Sequence, residues 1–324
     1  MTLLVLQRVL QGIGVVFAMS LAVFLGVFAI GDPLSLLVNP TLNQAEIAVV
    51  AERLGLDMPL WRQYLHFLAN LMRGDLGNSF VSNTPAIGLI LERMPATLEL
   101  AVTAVLVGLV VGIPLGLWAG YRPEHWTSKT IMTGSILGFS LPTFWVGLML
   151  IMIFAIELGW LDSGGRGETR DWIGMKLSIF TLDGWSHLLL PAANLALFKI
   201  SLVIRLTRAG VREALAQDYV RFARAKGLTM RRILIVHVLP NILIPVVTVT
   251  GMELSSTIAY AVVTETIFSW PGMGKLVIDS IFALDRPVIV AYLMIMACLF
   301  VAINLLVDLG YLILDPRLRH RRAA

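Results

Sequence analysis

The chain has 324 residues, 57% of them hydrophobic and only 14% charged, with a mean hydropathy of +0.83 and a formal net charge of +4. An ordinary soluble domain carries about 25% charged residues, so this composition excludes a soluble globular enzyme and requires lipid to cover the apolar excess. The positive balance is then a topology signal, not the footprint of a nucleic-acid-binding surface.

Six apolar windows follow one another, at residues 9–30, 97–118, 131–156, 188–204, 240–265 and 289–313. Each approaches the ~20 residues needed to cross a hydrocarbon layer of roughly 30 Å, and their apolar side chains lie all round the helix. The first window follows Arg8 but ends in Gly31-Asp32-Pro33 without a small-residue cleavage pattern, so it reads as a retained helix and not a signal peptide. The fold class expected is an all-α integral membrane protein with six transmembrane helices. With both termini in the cytoplasm, fifteen of the 25 basic residues fall in segments 1–8, 119–130, 205–239 and 314–324, against nine on the other side. That asymmetry predicts an N-in, C-in topology.

Between the first two windows, Trp61, Tyr64, Leu65, Leu68 and Leu71 recur at helical spacing, which predicts an amphipathic helix at the interface, broken by Gly74 and Gly77. The outer loop 157–187, with its LDSGGRGETRDW run, reads as irregular. Three parts follow: residues 1–95 with the first helix and the extracytoplasmic segment, a five-helix body over 96–316, and a basic tail, 317–324. The single cysteine, Cys298, lies in the sixth window and reads as a buried apolar thiol.

Loop 205–239 is far longer than a helical hairpin needs and is the most basic part of the chain. In QDYVRFARAKGLTMRRILIVHVLPN, Asp218 is placed to cap a short helix on which Tyr219, Phe222 and Ala223 share a face, with Arg221 and Arg224 on others. Gly227 then ends it, Thr229 caps a second helix, and Pro240 marks the start of the fifth span. A basic loop satisfied by lipid phosphates explains the charge alone. A short, aromatic-bearing helix between fixed stops suits docking into a groove on another protein.

The spacing Ala223-x-x-x-Gly227, nine residues, then His237-Val238-Leu239-Pro240 resembles the cytoplasmic signature of binding-protein-dependent ABC transporter permeases. Arg221 and Phe222 stand where the general signature has Glu and Ala, and QDYVRFARAKGL is similar to the dipeptide, oligopeptide and nickel branch. The runs LGLDMPLWRQY, RGDLGNSF, RMPATLEL, TETIFSWPGMGKLVIDSIF and LDPRLR extend the resemblance over nearly the whole chain. It implies a type I ABC importer permease fold. It also implies a subunit that pairs with a second permease, two cytoplasmic ATPases and an extracytoplasmic solute-binding protein. The ATPase-coupling role falls by this resemblance on Asp218, Tyr219, Arg221, Phe222, Ala223, Lys226 and Gly227. No cofactor is implied on this chain, since ATP and Mg belong to the ATPases. The substrate implied is a di- or oligopeptide, with a nickel chelate, glutathione or a sugar as alternatives within the branch.

Other signals are weaker. WPGMGKL lacks the G-x-x-x-x-G-K-[ST] spacing of a phosphate loop, and the five histidines, scattered along the chain, form no H-E-x-x-H pair. Glu99, Glu265 and Asp308 lie near helix ends and read as structural. Lys199 and Glu253 lie deeper, about 9 Å and 20 Å from the cytoplasmic ends of their windows at 1.5 Å per residue. They are expected to pair or to line a polar pathway, unless Lys199 snorkels to the interface. A buried carboxylate also keeps an ATP-independent secondary transporter in view, although the sequence lacks the repeated, broken helices of that class.

Overall fold

The computed structural model describes residues 2–29 and 58–314; Gly31-Asp32-Pro33, the LDPRLR run beyond Leu314 and the tail 317–324 lie outside the described residues. The helices are α1 (Thr2–Ala29), α2 (Leu60–Met72), α3 (Ala86–Tyr121), α4 (Trp126–Ser140) and α5 (Thr143–Glu157, π-helical from Ile151). After a short hairpin, β1 (Arg170–Trp172) and β2 (Met175–Leu177), come α6 (Leu182–Leu215), α7 (Asp218–Ala225), α8 (Met230–Ile267, π-helical over Ile233–Val238), α9 (Met273–Phe282) and α10 (Arg286–Leu314). Among the described residues five helices are long and apolar enough to cross a membrane, and α4 with α5, bent by 108° at a short break, are together as long and apolar. The bend falls where Pro142 holds Leu141 in an extended conformation, φ −78 and ψ 136, because the proline ring disfavours a helical residue before it.

Three elements differ from the expectations. The loop expected to be irregular contains β1 and β2, closed by Ile173 and Gly174, both at positive φ (52° and 77°); two residues in this left-handed region make the tight hairpin turn that matches strand twist. The fifth span begins at Met230, not at Pro240, because the wide π turns carry the helix through the proline without a break. Cys298 is exposed, not buried; for an apolar thiol on a membrane helix, lipid is as suitable a neighbour as a core.

The chain divides into two compact units, residues 1–92 with 276–305 and residues 93–275 with 306–324. In the first, α2 packs on α1 through Tyr64, whose hydroxyl lies 2.8 Å from Ser20 Oγ and whose ring meets Phe17 and Phe24. Phe67 also contacts Phe24, while Trp61 and Leu65 remain exposed, so the predicted stripe is rotated toward the face that offers Tyr64 a hydrogen bond. Gly74, at φ 74°, ends α2. The RGDLGNSF run then folds over a buried carboxylate: Ser79 Oγ and the Phe80 N–H (3.0 Å) both donate to Asp285, just before α10.

The second unit is organised by glycines. Gly108, Gly112, Gly116 and Gly120 form one ridge along α3, and a methyl group on any of them would meet the Cβ of Lys199, Val203, Thr207 or Val211, respectively, at 2.6–2.8 Å. Both series repeat every fourth residue, so the bare ridge of α3 lies directly under one row of α6, the arrangement by which membrane helices gain packing without a hydrophobic driving force. Beside it, Ala96, Leu100 and Ala104 of α3 pack with Leu188, Ala192, Leu195 and Ala196 of α6, Ala261 of α8, and Trp270.

Substituting Gly112→Ala is expected to lower the melting temperature of the purified protein by several degrees, since overpacking a tight contact costs about 1–3 kcal/mol. Gly134→Ala, on α4 where nothing lies within 4 Å, should leave it unchanged. Thermal unfolding of both variants in the same detergent checks the difference.

Candidate functional site

Helix α7 is only eight residues long and too short to persist alone, so its order comes from the surface beneath it. Val220 and Ala223 face inward and join Val211 and Ala214 of α6 and Ile233, Val238 and Ile242 of α8 in a small core. Its N-cap residue is Gln217 and it gains no side-chain cap. Asp218, expected to cap, is instead the first helical residue and accepts a hydrogen bond from Arg221 at 3.3 Å. Ala223 does not share a face with Tyr219 and Phe222: it is buried, whereas Phe222 is 63% exposed and Tyr219 39%. Lys226 Nζ lies 4.6 Å from the centre of the Phe222 ring, and Gly227 closes the segment at φ 75°, a conformation that favours glycine. The outward face thus carries two aromatics with Asp218, Arg221 and Lys226 around them, on a rigidly seated base.

The two deep charges come together within the second unit. Lys199 Nζ donates to Glu253 Oε2 at 2.7 Å and to Ser256 Oγ at 3.3 Å, and Ser256 Oγ donates to Glu253 Oε2 at 2.9 Å. The sequence-based depths placed Lys199 much nearer the helix end than Glu253. In fact α6 continues to Leu215 and α8 begins at Met230, so Lys199 lies about 24 Å and Glu253 about 35 Å from these ends, at 1.5 Å per residue. The ammonium is drawn sideways to α8 and does not reach along its own helix toward an interface. The partners are unequally covered, the Lys199 side chain being 4% exposed and that of Glu253 33%.

Two other carboxylates hold turns. Glu99 accepts from the Arg166 guanidinium (2.5 Å to Oε2) and from the Ser178 and Ile179 N–H groups (2.6 and 2.9 Å), which ties both ends of the hairpin loop to α3. The same guanidinium lies 5.6 Å from the Trp270 ring centre, and Trp270 Nε1 donates to the Ala96 carbonyl at 3.0 Å. Glu265 accepts from Thr97 Oγ1 at 2.6 Å and from the Lys275 N–H at 2.9 Å, while the Met273 N–H donates to Thr97 Oγ1 at 2.8 Å. WPGMGKL is therefore a turn whose donors at the start of α9 are satisfied by one buried carboxylate and one hydroxyl. A side chain at Gly272 would strike the Glu265 carboxylate, so the glycine is required by close approach.

Long apolar helices with polar pairs buried between them define a multi-pass membrane protein. Residues 112–320 match the family described as binding-protein-dependent transport system inner membrane component, and residues 1–101 match its N-terminal region. The chain belongs to this family of inner-membrane permease subunits of ABC importers. It is 39% identical over 318 residues to the oligopeptide transport system permease protein AppB of Bacillus subtilis, covering 98% of this chain and 99% of that one. It is 36% identical over 338 residues to the dipeptide transport system permease protein DppB of Escherichia coli, covering 98% and 100%. Identity to the glutathione transport system permease protein GsiC of Escherichia coli is 35% over 318 residues, covering 98% and 99%. A structure of the MetNI methionine ABC transporter in an inward facing conformation shares the fold, with TM-score 0.53 and 16% identity over 70% of this chain and 96% of that chain.

Breaking the Glu99–Arg166 pair from one side leaves a buried charge unpaired, which typically costs about 3–5 kcal/mol. Arg166→Met alone is expected to lower the melting temperature sharply, and Glu99→Gln with Arg166→Met to restore much of the loss. A double-mutant cycle in detergent measures the coupling.

Proposed function

We propose that this chain is one of two permease subunits of an ATP-driven importer of di- and oligopeptides. The outward face of α7 seats in a cleft of a cytoplasmic ATPase, and a solute-binding protein delivers the peptide from the other side. The observation that carries this reading is the two-sided α7: Val220 and Ala223 bind it to the feet of α6 and α8, while Tyr219 and Phe222 are left outward. A helix seated in this way transmits displacement to the spans and does not absorb it. Aromatic anchors ringed by charge are the composition of a docking hot spot. Eight basic residues, from Arg205 to Arg232, fall in the stretch of chain that carries α7, which supports placing this end, with both termini, on the cytoplasmic side.

The three-part division follows: residues 1–95 as the first helix with its extracytoplasmic segment, 96–316 as the permease body, and 317–324 as a cytoplasmic tail. The peptide assignment rests on the relatives named for oligopeptides, dipeptides and glutathione, itself a tripeptide. Lys199 and Glu253 belong to the passage, since ionisable groups at the middle of spans mark solute pathways. ATP and Mg act on the partner ATPases, two per complex, and alternating access arises as the two permeases move relative to one another.

Phe222→Ala is expected to weaken ATPase docking by roughly 30-fold, the scale of a 2 kcal/mol hot spot, and to abolish ATP-dependent dipeptide uptake while permease abundance is unchanged. Co-purification of the ATPases, together with uptake into proteoliposomes that hold ATP inside and the solute-binding protein outside, tests this. Full uptake with Phe222→Ala and Tyr219→Ala combined would overturn the coupling assignment.

A further inference from the structure

The Lys199–Glu253 pair is asymmetric in a way that a purely structural ion pair need not be. Glu253 Oε2 accepts from Lys199 Nζ and shares the Ser256 hydroxyl proton with the Glu253 carbonyl, while Oε1 accepts no hydrogen bond from any described residue. A carboxylate has about four acceptor positions, so half of this one is unused. It is also the more exposed member of the pair, at the middle of Leu239–Ile267, and Tyr260, two turns further along the same face, is exposed. A free carboxylate oxygen does not face hydrocarbon at that depth; ionisable groups there turn to the bundle interior or to a water-filled cavity.

Lys199 is held from behind. Its ammonium lies 5.1 Å from the Phe198 ring centre, Phe198 stacks on Phe139 of α4 at 4.8 Å, and the Arg205 guanidinium lies 4.7 Å from Phe139. Arg205 in turn donates to the Ser201 carbonyl at 3.3 Å. The row fixes the cation, its Cβ is pressed against Gly108, and the cation fixes the carboxylate. We infer that Glu253 Oε1 is the contact for the α-ammonium group of a peptide in transit, and that Lys199 is a positioning residue that keeps the carboxylate aimed. Ser256 sets its rotamer, and exposed Phe139 and Tyr260 supply apolar and aromatic surface nearby. This rests on the peptide-importer reading above.

The test uses the complete complex in proteoliposomes, with its own binding protein, and follows uptake of radiolabelled Ala-Ala, ATP hydrolysis and melting temperature. Glu253→Gln is expected to lower uptake roughly tenfold or more, the scale of a charge-assisted hydrogen bond, with ATP hydrolysis kept within about twofold of the parent. Glu253→Asp should recover part of the uptake. The neutral pair Lys199→Met with Glu253→Gln removes both charges at similar volume, a change that leaves stability nearly intact when a pair serves packing alone. It should fold as the parent does and still fail to import. Import at the parent rate by this neutral pair would overturn the inference and leave the two charges as packing against a neighbouring subunit. Absence of ATP-dependent Ala-Ala uptake by the unaltered complex would instead overturn the peptide reading, and the inference with it.

Discussion

The close approach of α3 and α6 is the constraint on which the second unit depends. In a membrane, lipid tails compete for apolar surfaces as well as side chains do, so helices associate where their shapes let backbones come near. Gly108, Gly112, Gly116 and Gly120 remove every side chain from one line of α3, and Lys199, Val203, Thr207 and Val211 occupy the space. The consequence reaches past packing. Lys199 is a member of this row, so its Cα is fixed by Gly108, and its ammonium is left to bridge sideways to α8. An ion pair at mid-span is tolerable only if its partners are already in place, because the desolvation of two charges is offset only by good geometry.

Carboxylates perform the corresponding task outside the apolar layer. Asp285 gathers the RGDLGNSF turn in the first unit, while Glu99 and Glu265 hold the hairpin loop and the WPGMGKL turn in the second. In each case a short-range turn leaves N–H groups without partners, and one buried acid accepts them. These sequence runs are therefore folding devices, and their glycines mark places where backbone passes close to a carboxylate or turns left-handed.

Much of the architecture was legible because membrane spans announce themselves by length and composition. Six apolar windows correspond to five continuous spans and the bent α4–α5 pair. Helix ends were less legible: α6 runs from Leu182 to Leu215, well past its apolar window, because a helix continues into water once its backbone is satisfied. Depths counted from the apolar windows stagger Lys199 and Glu253, whereas the structure joins their side chains at 2.7 Å. The face of α7 was misjudged because eight residues define a periodicity poorly; burial of Val220 on the Ile233 and Val238 core decides which side is inward. The fourfold glycine spacing on α3 was present in the sequence and carries a recognisable small-xxx-small pattern. The partner row on α6 and the Arg205–Phe139–Phe198–Lys199 stack are products of tertiary packing, with no local signature.

One further property follows from α8 being unbroken from Met230 to Ile267. Its foot shares a core with α7, and Glu253 stands about 35 Å up the rod at 1.5 Å per residue. The π turns over Ile233–Val238 carry the helix past Pro240, and Pro245 lies within it about one turn further on, where the ring's missing N–H leaves one rung of the hydrogen-bond ladder unmade. A tilt of about 5° over that length displaces the far end of a rod by about 3 Å. The Lys199–Glu253 contact joins α6 to α8 far above the core in which both helices meet α7, so a change in the angle between them is felt there as a change in a single contact.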